Sequence, residues 1–170
     1  EMLRRGRVYD LPVPEAALTP LWSDIAQWQT RLDQAMALGL VEVSPEGDLR
    51  VSPLLPLPRP EAGDVLFATA AQQLYRLWCQ PEALSATEEQ SLELVRLGLQ
   101  GRNQEIAVNV GSLIATRWLR SLRYTDALAL CGAILTQFED YRILKTAART
   151  EAKLGFTPDA IEHYKRALAC

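Results

Sequence analysis

Residues 141–170, YRILKTAARTEAKLGFTPDAIEHYKRALAC, decide the fold. Leu144, Ala147, Ala148 and Glu151 recur at helical spacing, and Gly155 is placed to stop the helix. Ala160, Tyr164 and Ala167 then repeat the spacing in a second helix. The short side chains matter, because paired helices approach closely only where side chains are small. Phe156-Thr157-Pro158-Asp159-Ala160-Ile161 also echoes Tyr124-Thr125-Asp126-Ala127-Leu128, and 33 residues separate Ala127 from Ala160. The preceding copy keeps register, with Gly111, Ile114, Ala115 and Trp118 on its first helix and Ala127, Cys131 and Ile134 on its second. A unit with this period is a helical hairpin that buries its apolar face by stacking on its neighbour.

Outward from this repeat, the pattern predicts helices over 61–79, 87–100, 104–121, 124–138, 141–155 and 158–169. Thr87-Glu88-Glu89-Gln90 has capping-box spacing. Connections of two to six residues imply antiparallel neighbours. Upstream, Ser52-Pro53-Leu54-Leu55-Pro56-Leu57-Pro58-Arg59-Pro60 carries four prolines in nine residues, which no helix or central strand tolerates. Pro45, Pro81 and Pro158 are expected at turns or helix starts. The expected organisation is a small mixed unit at 1–56, a linker at 57–60 and a helical repeat region at 61–170.

Within 1–56, Pro14 suits the start of a short helix ending near Leu18, followed by a longer helix over 21–38. Leu40-Val41-Glu42-Val43 and Leu49-Arg50-Val51 alternate about the turn residues Ser44-Pro45-Glu46-Gly47-Asp48, as a hairpin does. A helix running into such a hairpin has the outline of a partial winged helix. The fold class is therefore mostly α, with stacked antiparallel hairpins behind a partial winged-helix unit carrying one β-hairpin.

With 170 residues and 48% hydrophobic content, the chain can build its own core without disulfides or metal. No stretch approaches the ~20 apolar residues of a membrane span, and no signal-peptide core follows Glu1. Fifteen Arg and three Lys face 21 acids, a net charge of -3, which argues against a general nucleic-acid binder. Cys79, Cys131 and Cys170 form no C-x-x-C pair, as expected of free thiols in a reducing, cytoplasmic setting. His163 is the single histidine, and the phosphate-loop, dinucleotide, zinc-protease and nucleophile-elbow motifs are absent. The reading is non-enzymatic, with no cofactor.

The repeat resembles the tetratricopeptide family, with departures at Glu151, where an aromatic is usual, and at Leu122, where glycine is usual. Arg7-Val8-Tyr9-Asp10-Leu11-Pro12-Val13-Pro14-Glu15-Ala16-Ala17-Leu18, Ala37-Leu38-Gly39-Leu40-Val41-Glu42-Val43 and Gly47-Asp48-Leu49-Arg50-Val51-Ser52-Pro53-Leu54-Leu55 resemble the winged-helix module of STAND-class signalling ATPases. That family places a nucleotide-binding domain before the winged helix and repeats after it. The resemblance implies a regulatory, protein-interaction segment of a larger ATPase, whose nucleotide-binding domain is missing here and would be an intramolecular partner. The alternatives are a stand-alone repeat adaptor, in which residues 1–56 cap the array, and a DNA-binding regulator with a repeat sensor.

By the repeat alignment, Arg142, Lys145, Arg149 and Lys153 occupy the positions that face the family's concave groove, with Asn109, Ser112, Thr116 and Arg120 matching them one repeat earlier. The implied groove would hold a protein or acidic peptide segment. The plainer reading is a solvated helix face. The would-be recognition helix 21–38 carries Asp24, Arg31 and Asp33, a poor footprint for phosphate contact. Trp28 and Trp118 lie on apolar stripes and read as core, with a ligand pocket lined by Trp22, Trp28, Trp78 and Trp118 as the alternative. His163 reads as a surface residue and Cys131 as inert core.

Overall fold

The computed structural model describes residues 1–61, 65–79 and 86–170. Pro81, and residues 62–64 of the helix expected over 61–79, lie outside the described residues. Among the described residues the chain forms nine helices and one antiparallel pair of strands. In order they are α1 (Met2–Gly6), α2 (Glu15–Trp22), α3 (Trp28–Ala37), β1 (Val41–Val43), β2 (Leu49–Val51), α4 (Val65–Trp78), α5 (Glu88–Gln100), α6 (Gln104–Arg120), α7 (Tyr124–Leu135), α8 (Tyr141–Leu154) and α9 (Thr157–Ala169). The fold is mostly α, with helices stacked against one another.

The helix ends follow local chemistry. Thr87 Oγ1 accepts from the Gln90 N–H at 3.2 Å while Gln90 Oε1 accepts from the Thr87 N–H at 2.9 Å, closing the expected capping box. Asn103 Oδ1 accepts from the Ile106 N–H at 3.1 Å and caps α6. Gly155 ends α8 in the left-handed region at φ 86°, where its missing Cβ avoids strain. The Phe156 N–H then bonds back to the Glu151 carbonyl at 2.9 Å.

Pairs α4/α5, α6/α7 and α8/α9 form hairpins, and each outgoing helix packs on the next incoming one. Helices α4, α6 and α8 also touch in sequence, so these three share one side of the stack. Close approach is visible at Gly101, where an added Cβ would lie 2.5 Å from the Ala68 backbone nitrogen of α4. Ile114, Ala115, Trp118, Ala127, Cys131, Ile134, Leu144, Ala147, Ala148 and Ala160 are buried, as the repeat spacing requires, whereas Tyr164 is exposed and Ala167 half-buried because no helix beyond α9 packs on them among the described residues.

One correction concerns the helix expected over 21–38. Its first residues end α2, and the chain breaks at 23–27 before α3 begins. Gln27 adopts a left-handed φ of 56°, which folds the chain back and brings the Trp22 and Trp28 rings to 5.9 Å. Trp22 is fully buried and its indole N–H donates to the Met2 carbonyl at 3.0 Å. Tertiary packing of two tryptophans outweighs helical periodicity here. The hairpin pairs Val41 with Val51, Glu42 with Arg50 and Val43 with Leu49, and an extra bridge joins Val13 to Leu49.

The amino-terminal elements share one contiguous apolar cluster with the helical stack, and α2 lies against α4. A polar clamp also joins the segment between α1 and α2 to α5. Glu93, on α5 and only 4% exposed, accepts from the Asp10 N–H at 2.8 Å and from Arg96 at 2.7 Å on both oxygens. Arg96 also donates to the Val8 carbonyl at 2.6 Å and pairs with Asp10 at 3.2 Å. Asp10 in turn meets Arg59 at 3.0 Å.

Candidate functional site

Neighbouring helices α6 and α8 carry the eight residues expected to line a groove. Asn109, Ser112, Thr116 and Arg120 run along α6, and Arg142, Lys145, Arg149 and Lys153 along α8. The two rows meet where Arg142 Nη1 donates to Asn109 Oδ1 at 2.5 Å.

The same guanidinium grips Asp140 in a two-pronged pair, Nε to Oδ1 and Nη2 to Oδ2, each at 3.0 Å. Asp140 also caps α8, its Oδ1 accepting from the Arg142 N–H at 2.9 Å. The hydrogen bonds from Arg142 hold the Asp140 carboxyl below its ordinary range, and Asp140 pushes Arg142 upward in return. Arg142 is thus charge-matched and fixes the α6–α8 contact.

The remaining cations differ. Arg120, Lys145, Arg149 and Lys153 are exposed, and no ion pair among the described residues engages them. Asn109, Ser112 and Thr116 are half-buried, and Ser112 Oγ donates to the Asn109 carbonyl at 3.0 Å. Glu105 opens α6 one turn before Asn109, so an acid stands at that end of the row.

Sequence spacing missed two contributors, Leu113 and Tyr75, and weighed Trp78 only for a pocket shared with Trp22, Trp28 and Trp118, none of which lines the cleft that Trp78 does. Leu113 sits one turn after Asn109 and is 70% exposed, an apolar residue in a row read as polar. Tyr75 and Trp78 come from α4, whose hairpin does not align with the other two. Together with Arg117 they line a cleft of about 180 Å³ between α4 and α6, closed on one side by Ala86 and Ser91 at the start of α5. The signal available was Leu113 itself, at i+4 from Asn109.

Elsewhere, Glu151 is buried and its Oε2 lies 2.8 Å from His163 Nδ1. His163, read from sequence as a surface residue, is half-buried and joins α9 to α8. Burial pushes the Cys131 thiol up to about 12, with the Glu151 charge adding to it. Desolvation likewise raises Cys79. Thiols held neutral are poor nucleophiles. Asp24, on the stretch weighed for DNA contact, is engaged by Arg5. Among the described residues no cluster of His, Cys, Asp or Glu converges as a metal requires, and no helix is long and apolar enough to cross a membrane.

Comparison with protein-family models, with curated proteins and with solved structures returns no match to this chain.

Proposed function

We propose that this chain is a non-enzymatic interaction segment whose α4–α6–α8 side receives an acidic protein segment. The observation that carries this reading is the row Arg120, Lys145, Arg149 and Lys153, exposed cations without ion-pair partners among the described residues, in a chain of net charge -3. An acidic chain repels polyanions in general, so a local cationic row selects for a ligand that follows it. The resemblance to tetratricopeptide repeats behind a winged helix supports placing the segment in a STAND-like signalling ATPase. There, occupancy of the repeats would bias the contact with the nucleotide-binding domain.

The test is fluorescence anisotropy with fluorescein-labelled hexaglutamate at low salt. The pair Lys145→Glu and Arg149→Glu weakens binding by about tenfold or more, equivalent to roughly 1.4 kcal/mol. Equal affinity for wild type and the double variant contradicts the reading.

A second reading has its own observation. The packing of α2 on α4 and the Glu93–Arg96 clamp favour an adaptor in which residues 1–56 cap the array. An antibody to this chain, used on extract of its source, separates the two. A band near 19.0 kDa favours the adaptor, and one far above it favours the ATPase segment.

A further inference from the structure

We infer that the cleft between α4 and α6 is an anchor pocket for a single large apolar side chain of the bound segment. This rests on the reading of the α4–α6–α8 side as a peptide surface and names what else the peptide must carry. Size decides first. The cleft measures about 180 Å³, whereas sites for drug-sized ligands and cofactors run to roughly 300–1,000 Å³. An engineered cavity of ~150 Å³ holds a benzene ring. The space therefore suits one Phe- or Leu-sized group.

The walls decide next. Tyr75 and the buried Trp78 supply aromatic surface from α4, and Val110 and Ile114 supply aliphatic surface from α6. Leu113 stands at the mouth, 70% exposed. Solvating an apolar side chain there is unfavourable, and covering it with an apolar group recovers part of that loss.

The rim decides the chemistry around the anchor. Arginine only donates, so Arg142 fixes the Asn109 amide with Oδ1 turned towards it. Asn109 Nδ2 makes no hydrogen bond among the described residues and is left to donate at the cleft. Arg117 lines the same cleft, and no ion pair among the described residues engages it. Both rim groups donate, and both ask for acceptors such as backbone carbonyls or carboxylates flanking the anchor. The unpaired cations of α8 continue the demand for acids beyond Asn109. The partner is thus a segment with one bulky apolar residue set among Asp and Glu.

Two probes separate the pocket from the cationic row, read through amide and indole chemical shifts of the intact chain. 3-Phenylpropionate, a ring with one carboxylate, produces saturable shifts at Trp78, Asn109, Leu113 and Arg117, and Leu113→Asp removes them. Leu113 is exposed, so that variant keeps its fold, and its unchanged spectrum elsewhere verifies this. Hexaglutamate shifts α8 residues around Lys145 and Arg149 without displacing 3-phenylpropionate. Absence of saturable shifts at the cleft, or shifts that survive Leu113→Asp, overturns the pocket. Shifts from 3-phenylpropionate with none from hexaglutamate leave the pocket standing and overturn the acidic-segment reading instead.

Discussion

Leu122 holds a left-handed backbone at φ 64°, in the turn between α6 and α7, with its side chain 71% exposed. A branched-γ residue in that region is strained by roughly 1–2 kcal/mol, while glycine adopts it freely but loses more entropy on folding. Leu122→Gly is expected to stabilise the chain by about 0.5–1 kcal/mol in urea denaturation. Buried groups behave oppositely. Arg96 and the Asp10 N–H hydrogen-bond both oxygens of the buried Glu93 carboxylate. Arg96→Ala strands that carboxylate and is expected to cost about 3 kcal/mol by the same measurement. Cys131, held up to about 12, stays protonated in the folded state while an unfolded thiol ionises above its ordinary value of 9.0. The folded chain binds the extra proton, so this group's contribution falls as pH rises between about 9 and 12. At pH 8 the native chain should label rapidly with iodoacetamide at the exposed Cys170 and not at Cys131. Prompt labelling of Cys131 would contradict the packing.

At the scale of elements, the helical hairpins were legible because their signals are local. Ala, Gly and Leu spacing, the Thr87–Gln90 box and Gly155 each act within a few residues, and the observed α5, α6, α8 and α9 begin and end within a residue of expectation. What was not legible is what depends on distant partners. The break at Gln27 follows from Trp28 meeting Trp22, and the Val13–Leu49 bridge follows from tertiary placement of an extended segment. Of the groove, spacing found the α6 and α8 rows but could not tell that Arg142 is consumed by Asp140, nor that α4 brings Tyr75 and Trp78 alongside. Close approach gives a further prediction. Gly101→Ala drives a methyl into the α4 backbone, which cannot yield as a side-chain tip would, and is expected to destabilise by about 1–3 kcal/mol. Asp140→Ala removes a cap and frees Arg142, for a loss of about 1 kcal/mol by thermal denaturation. Because the Asp140 carboxyl is depressed in the folded state, its contribution is present at neutral pH and fades as pH falls through that lowered titration.

Across the whole molecule, one apolar cluster ties the hairpin-bearing start to the stacked helices, and α4, α6 and α8 expose a side on which cations and an apolar cleft adjoin. Binding that depends on the exposed cations should weaken with added salt, since surface charges are screened beyond ~8 Å at physiological ionic strength. Binding that depends on the cleft should hold. The most direct test of this surface is shift mapping with one peptide carrying both features, Glu-Asp-Phe-Asp-Glu. Saturable perturbations are expected at Tyr75, Trp78, Asn109, Leu113, Arg117, Lys145 and Arg149. Perturbations confined to α9 or the β1–β2 hairpin, or none at all, would contradict it.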